Sequence, residues 1–384
     1  MKNRLRTKTE PRRLIRRLLM LLPLAALGFL WPTIAKRFPA WIEAVYARRI
    51  YPAVNRALAS VTSVVPFSVA EILLCAVILG ALIGIVGGAV RLIARRIRFS
   101  RFLSMLLSLA LFAAVLLNLF YATWGLNYFR APLAQRMGLN VGSYSEKELT
   151  RLVECLVSDA NALRPTLSED ENGVFRYTDG LQPMLDALPD TYRALKLYSD
   201  AFTGHPTRAK RVTLSVGLSR LGIAGIYIGM TGEPNVNVNQ PDLLIAEGAA
   251  HEIAHGLGIA SENEAQFAAY LACSVSDDPA VRYSGTVDAL ISAGNALYRV
   301  NPERYAAIRR TYCDGLIRDL DNYNAYWRRY EGKPAEIATK TNDSYLKFNG
   351  QSSGVRSYGE SVDLMLCYFK SIGRLTDRAA GTGI

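Results

Sequence analysis

The sequence predicts three transmembrane helices followed by a mainly α (α+β) domain with a small sheet ahead of its central helix. Three observations support this. Leu18 to Ala35, Ile72 to Val90 and Phe102 to Phe129 contain no Asp, Glu, Lys, Arg or His, and each can cross about 30 Å of hydrocarbon as a helix. Beyond them the chain is polar enough for an aqueous domain, and its apolar spacing changes from period two to helical near residue 241. The expected division is a basic cytoplasmic tail (1–17), a membrane region (18–129, helices at about 18–35, 72–90 and 102–124) and an extracytoplasmic domain (130–384).

Charge gives the spans their direction. The 384 residues carry 45 Lys+Arg against 33 Asp+Glu, a net +12, and half of them are hydrophobic, which excludes a disordered chain, a collagen-like repeat and a small disulfide scaffold. Residues 1–101 alone have a balance of +15, leaving −3 for the rest. A uniformly basic nucleic-acid binder is thereby excluded, and the lipid bilayer is the partner this charge addresses. Eight basic residues precede the first span and five lie between Arg91 and Arg101, so both segments are expected on the cytoplasmic side. The loop from Lys36 to Glu71 also holds five and runs against this rule. Trp124, Tyr128 and Phe129 suit an interfacial belt at the outer end of the third span. A cleaved signal peptide is the alternative for the first span, given its basic n-region and small residues.

Within the polar part, Ser145 with Glu148 forms a capping-box pattern before a helix over 145–163. A second helix is expected from Leu181 to Phe202. Val212 to Val216 alternates like a strand, Ile223 to Met230 reads as strand and turn, and Val236 to Asn239 continues the pattern. Helices are expected at 241–256, 262–275, 285–299, 302–330 and 358–373. Cys155, Cys273, Cys313 and Cys367 fall in the external part, where buried thiols and one or two disulfides are both open.

His251-Glu252-Ile253-Ala254-His255 is an HExxH motif on an expected helix. Spacing i to i+4 puts both imidazoles on one face, where they can take two positions around one Zn²⁺. Glu252 is then placed as general base toward a metal-bound water. The chain has three histidines in all, and the third, His205, lies upstream in a Gly-His-Pro turn. A catalytic zinc normally takes a third protein ligand. Gly258 continues a metzincin-like pattern, but Ser261 stands where its third histidine belongs. A carboxylate from the next helix is therefore expected. Glu264 is chosen because Phe267 and Ala268 would face the core with it, and Glu262 is the alternative.

These residues belong to a longer series: Pro66-Phe67-Ser68 with Glu71, Trp124-Gly125-Leu126-Asn127-Tyr128 with Arg130 and Pro132, and Gly232-Glu233-Pro234-Asn235-Val236-Asn237. It continues through His251 to His255, Glu262 with Glu264-Ala265-Gln266-Phe267, and Arg282-Tyr283-Ser284-Gly285. Tyr345-Leu346-Lys347, Asn349-Gly350-Gln351 and Ser357-Tyr358-Gly359 complete it. In these motifs the chain resembles the bacterial membrane proteins grouped as domain of unknown function 3810, which carry an HExxH zincin signature. The resemblance implies a zincin-like, membrane-anchored metallopeptidase in the bacterial inner membrane. A shorter likeness of the Glu264-Ala265 helix to the metal-binding Glu of antitoxin-type and stress-regulator metallopeptidases favours Glu264.

Asn235 and Asn237 lie where zincin-like enzymes place an edge strand that pairs with extended peptide, although alternating Asn also suits a solvent face. Tyr358 is expected to donate to a tetrahedral oxyanion, with Tyr283 and Lys347 as weaker candidates and packing as the alternative for each aromatic. The expected activity is hydrolysis of a peptide or protein substrate outside the cytoplasm, with His251, His255 and Glu264 holding Zn²⁺. A zinc-binding sensor that does not cleave, and a metal-free envelope interaction protein, are the rivals.

Overall fold

The computed structural model describes residues 2–375, with side chains from residue 12 onward other than those of 357–359. Its first helices are α1 (Lys2–Arg37), α2 (Tyr51–Thr62), α3 (Val69–Ile93) and α4 (Phe99–Thr123). Arg12–Arg37 of α1, together with α3 and α4, are long and apolar enough to cross a membrane. Their apolar side chains are largely exposed, Leu73, Leu79 and Val86 among them, which fits helices that face lipid. α1 lies along α4. Asn118 of α4 donates from Nδ2 to the Leu24 carbonyl at 2.8 Å and accepts the Trp31 indole N–H at 3.0 Å, so this polar residue is satisfied between helices. Gly28 makes the approach possible, since a Cβ there would come within 2.7 Å of Leu117 Cδ2.

The stretch between the first two spans packs onto the polar domain. A π-helical run, Ile42–Ile50, leads into α2 and buries Ile42, Tyr46, Tyr51, Asn55 and Ala59. Here one of the basic residues that ran against the inside rule, Arg48, finds a partner. Glu43 accepts from Arg48 at 2.9 Å and from Arg130 at 3.2 Å.

After the short 3₁₀ stretch Gly125–Phe129, the domain continues with α5 (Glu146–Leu163) and α6 (Leu181–Tyr198). The Ser145–Glu148 capping box is present in full. Strands β1 (Lys210–Arg211), β2 (Gly225–Ile228) and β3 (Glu233–Val236) form one sheet of order β1-β3-β2, parallel between β1 and β3 and antiparallel between β2 and β3. Val212 to Val216 is not a strand. Pairing ends with the Val212 N–H on Val236 O at 3.1 Å, and a short helix α7 (Ser215–Arg220) follows, its start held by the Ser215 hydroxyl donating to Val212 O at 2.6 Å. Then come α8 (Asp242–Gly256), α9 (Glu262–Ser274) and α10 (Pro279–Val300), which pack on one another. The helix expected over 302–330 is divided into α11 (Pro302–Arg309) and α12 (Asp314–Tyr330). α13 (Lys333–Phe348) occupies a stretch where no element is expected from the sequence, and α14 (Ser361–Ser371) closes the described chain.

The core gathers Leu152, Leu156, Leu185, Leu188, Tyr192, Ile253, Phe267, Tyr283 and Phe369, all fully buried. α8 runs through its middle with 13 buried residues, which is why this helix reads as almost continuously apolar. All five cysteines are free, so the disulfide alternative is not realised.

Candidate metal centre

The histidine pair is positioned by the burial of α8. Ala249, Ala250, Ile253 and Ala254 take the core faces, and the remaining face carries His251 and His255, whose rings lie 4.7 Å apart at 84°. The helix ends at Gly256, and Gly258 turns the chain with φ +77°, a left-handed conformation suited to glycine. A Cβ there would meet Arg130, Asn127 and Tyr51 at about 3 Å. The turn aims α9 back at the pair, and Glu262, its first residue, brings Oε2 to 3.2 Å from His251 Nε2 and 3.5 Å from His255 Nε2. The donor atoms of His251, His255 and Glu262 all lie within 4.8 Å of one another. Tetrahedral ligands at ordinary Zn–N and Zn–O lengths stand about 3.3 Å apart, so the two separations from Glu262 fit that size.

The tautomer also fits. His255 Nδ1 lies 2.7 Å from the Ile259 carbonyl, so Nδ1–H is the donor and Nε2 faces Glu262, the arrangement in which an imidazole ligand is oriented by a carbonyl behind it. Burial alone would raise the Glu262 carboxyl, but His255 and His251 hold it well below the usual range. Burial would lower His255, and Glu262 and Glu252 overcome this and push it up to about 9. His251, where burial dominates, is lowered. Burial raises Glu252 to about 8, Glu262 adds to this, and His255 and a hydrogen bond from the Tyr227 main chain oppose it. Its Oε2 is buried and has no hydrogen-bond partner among the described residues. Gly225 of β2 leaves the space, because a Cβ there would come within 2.6 Å of Glu252 Oε1.

Glu264 is not brought to the group. It is half-buried, and it points to the other side of α9, where Oε1 accepts the Leu133 N–H at 2.6 Å. Burial raises its carboxyl against the pull of Arg136 and Arg130. Core-facing and site-facing are different directions on this helix, and Glu262, the alternative, is the residue that joins the pair. Asn235 sits on the central strand and Asn237 just beyond it. Both are buried and spent on local bonds: Asn235 Nδ2 donates to Glu233 O at 2.8 Å, and Asn237 Nδ2 to Ile223 O at 2.9 Å. The edge strand beside α8 is β2. The Tyr358 side chain lies outside the described residues. Tyr283 donates to Asp319, which Arg164 also binds, and Lys347 pairs with Asp343 at the surface. His205 is not part of the group.

Three aromatic residues have places that the motifs did not reveal. The Trp124 indole N–H donates to His255 O at 2.9 Å, and its ring is edge-on to the imidazole. Tyr51 OH and Asn55 Nδ2 donate to Gly256 O at 2.8 and 3.0 Å, and Tyr227 OH donates to Asn55 Oδ1 at 2.8 Å. Arg130 reaches Leu257 O and Gly258 O. The carbonyls that a helix C-terminus leaves without intrahelical partners are thus satisfied largely from the stretch around the spans. Trp124 stands in one of the motifs above and Tyr51 in none, and only long-range folding puts them at α8.

No curated protein and no solved structure matches the chain. The family model described as protein of unknown function (DUF3810) matches residues 46–366, and the chain belongs to that family.

Proposed function

We propose that the protein is a membrane-anchored zinc metallopeptidase that hydrolyses peptide or protein substrates outside the cytoplasm. The observation that carries this reading is the buried His251–His255–Glu262 group with the unpartnered Glu252 Oε2 beside it. His251 Nε2, His255 Nε2 and a Glu262 oxygen would hold the metal. Bound there, zinc supplies Lewis acidity toward a peptide carbonyl and lowers the pKa of water. Glu252 Oε2 takes the proton of the attacking water and passes it to the leaving amine nitrogen; a carboxyl raised to about 8 by burial is suited to both transfers near neutral pH. β2 offers a sheet edge beside α8 for an extended substrate. The basic residues before the first span and after the second support a cytoplasmic N-terminus and an extracytoplasmic domain in the inner membrane.

A zinc-binding sensor is the second reading. It is favoured by how closed the group is, with His251, His255 and Glu262 side chains only 12, 7 and 9 % exposed. Metal content and peptide turnover of the full-length chain in detergent separate the two. We expect one zinc per chain, lost in His251→Ala, and turnover lost in Glu252→Gln with zinc retained. A wild-type chain without zinc overturns both readings; zinc without turnover leaves the sensor.

A further inference from the structure

α13 is weakly held by the domain. Its polar positions Glu336, Lys340, Asp343 and Lys347 recur at i, i+4, i+7 and i+11, and Ile337, Thr341, Ser344, Tyr345 and Phe348 line another face. Leu346 is its one buried residue, while Ile337 is 65 % and Phe348 43 % exposed. Its main packing partner is the 3₁₀ stretch Gly354–Glu360.

The apolar face is nonetheless fixed at one level, by the membrane helices. The Phe348 ring meets Phe29 of α1 edge-on at 6.1 Å, and Tyr345 meets Phe120 of α4 at 6.1 Å. Phe29 lies eight residues before the end of α1, roughly 12 Å along the helix, so the C-terminal end of α13 sits below the end of that span. Its N-terminal end lies by Gly222, just after α7, where Leu214, Val216 and Leu221 are exposed. The same rings lead to the metal group: Tyr345 to Phe120, Phe120 to Trp124 at 5.8 Å, Trp124 to His255 at 5.7 Å.

We propose that α13 lies in the outer surface of the bilayer, with Ile337 and Phe348 turned to lipid and Tyr345 turned inward to Phe120 and Tyr128, and that it sets the metal group at the level of that surface. The substrate is then a polypeptide segment lying at the membrane surface, the juxtamembrane stretch of a membrane-anchored protein. The lipid contact rests on the three long helices crossing a bilayer, and the substrate class on the peptidase reading. The amphipathic pattern suits an interfacial helix, and continuity of its apolar face with Phe29 and Phe120 identifies lipid as the occupant.

The test uses the full chain in phosphatidylcholine vesicles, with exposed Cys75 and half-buried Cys313 replaced by Ser and a bimane label at Ile337→Cys or Lys340→Cys. Lipids carrying a nitroxide near the headgroup should quench the label at 337 at least twofold more than at 340; equal quenching overturns the lipid contact. In the same vesicles, an unstructured fluorogenic segment fused to a single apolar span should be cleaved at least tenfold faster than the segment alone. Equal rates overturn the substrate class with the peptidase reading intact. No cleavage of either probe overturns the peptidase reading and the substrate class together, and the quenching still decides the position of α13.

Discussion

The indole of Trp124, the first residue beyond α4, donates its N–H to the main-chain oxygen of His255 at 2.9 Å and stands edge-on to the imidazole at 89°. A residue at the end of a membrane-length helix therefore touches the metal group on both its backbone and its ring.

Trp124→Phe keeps a ring and removes the donor. The His255 carbonyl then keeps the Gly258 N–H at 2.9 Å and the longer contact from Tyr51 OH at 3.4 Å, so the lost bond should cost about 0.5–1.5 kcal/mol. We expect a lower melting temperature for the full chain in detergent and zinc held several-fold more weakly in a chelator titration. Unchanged zinc affinity would show that the contact does not orient the imidazole.

Glu262→Ala and Glu264→Gln should differ in kind. The first removes one of three clustered donor atoms and should abolish stoichiometric zinc. The second weakens the carboxylate that accepts the Leu133 N–H beside Arg136; it should lower stability and leave one zinc per chain. Metal analysis of the two purified variants decides this, and the reverse result would exclude Glu262 as a ligand.

The contrast between these glutamates marks how far the sequence could be read. The membrane-length helices, the Ser145 cap and the HExxH helix follow from local composition and spacing, and all are present. The third member of the site depends on the phase at which α9 leaves the Gly258 turn. Packing of Phe267 and Ala268 identifies the buried side of that helix, but not which buried side meets α8. The Val212–Val216 alternation gave way because the Ser215 hydroxyl bonds back to Val212 O and starts a helix. α13 was illegible for a different reason: its apolar face consists of few residues and meets the spans, so core periodicity does not mark it.

Lys210 Nζ and Glu233 Oε1 form a buried pair at 2.6 Å between β1 and β3. Lys210 also donates to Thr62 O and Phe67 O, and Glu233 accepts the Val69 and Ala70 N–H groups. Lys210→Met strands the carboxylate and should cost roughly 3–5 kcal/mol. Adding Glu233→Gln should restore part of that, because a neutral amide is cheaper to bury unpaired. Chemical melts of single and double variants measure the coupling; strictly additive losses would contradict it.

Asp288 supplies a pH dependence. Its carboxylate accepts from Gln266 at 2.8 Å, and burial raises its pKa to about 6, with Glu247 and Tyr323 facing the same interior. Because the folded value exceeds the unfolded one, the folded chain holds the proton longer as pH rises from about 4 to 6, and stability falls across that window. Asp288→Asn keeps an acceptor for Gln266 and removes the charge. It should stabilise the protein above pH 6 by on the order of 1–2 kcal/mol and leave it unchanged at pH 4, as read from thermal melts at both values. Equal shifts at the two pH values would refute the ionisation account.

The Glu233 carboxylate that closes the start of α3 is 163 and 164 residues away in sequence from the two amides it receives. During synthesis at about 5–20 residues per second, that interval is roughly 10–30 s. The second apolar helix thus emerges with its local cap, Ser68 Oγ on the Glu71 N–H, but long before Glu233, so its Val69 and Ala70 amides depend on water in the meantime. Completion of the sheet is then also the step that locks this helix end, which couples folding of the polar domain to closure of a membrane-length helix.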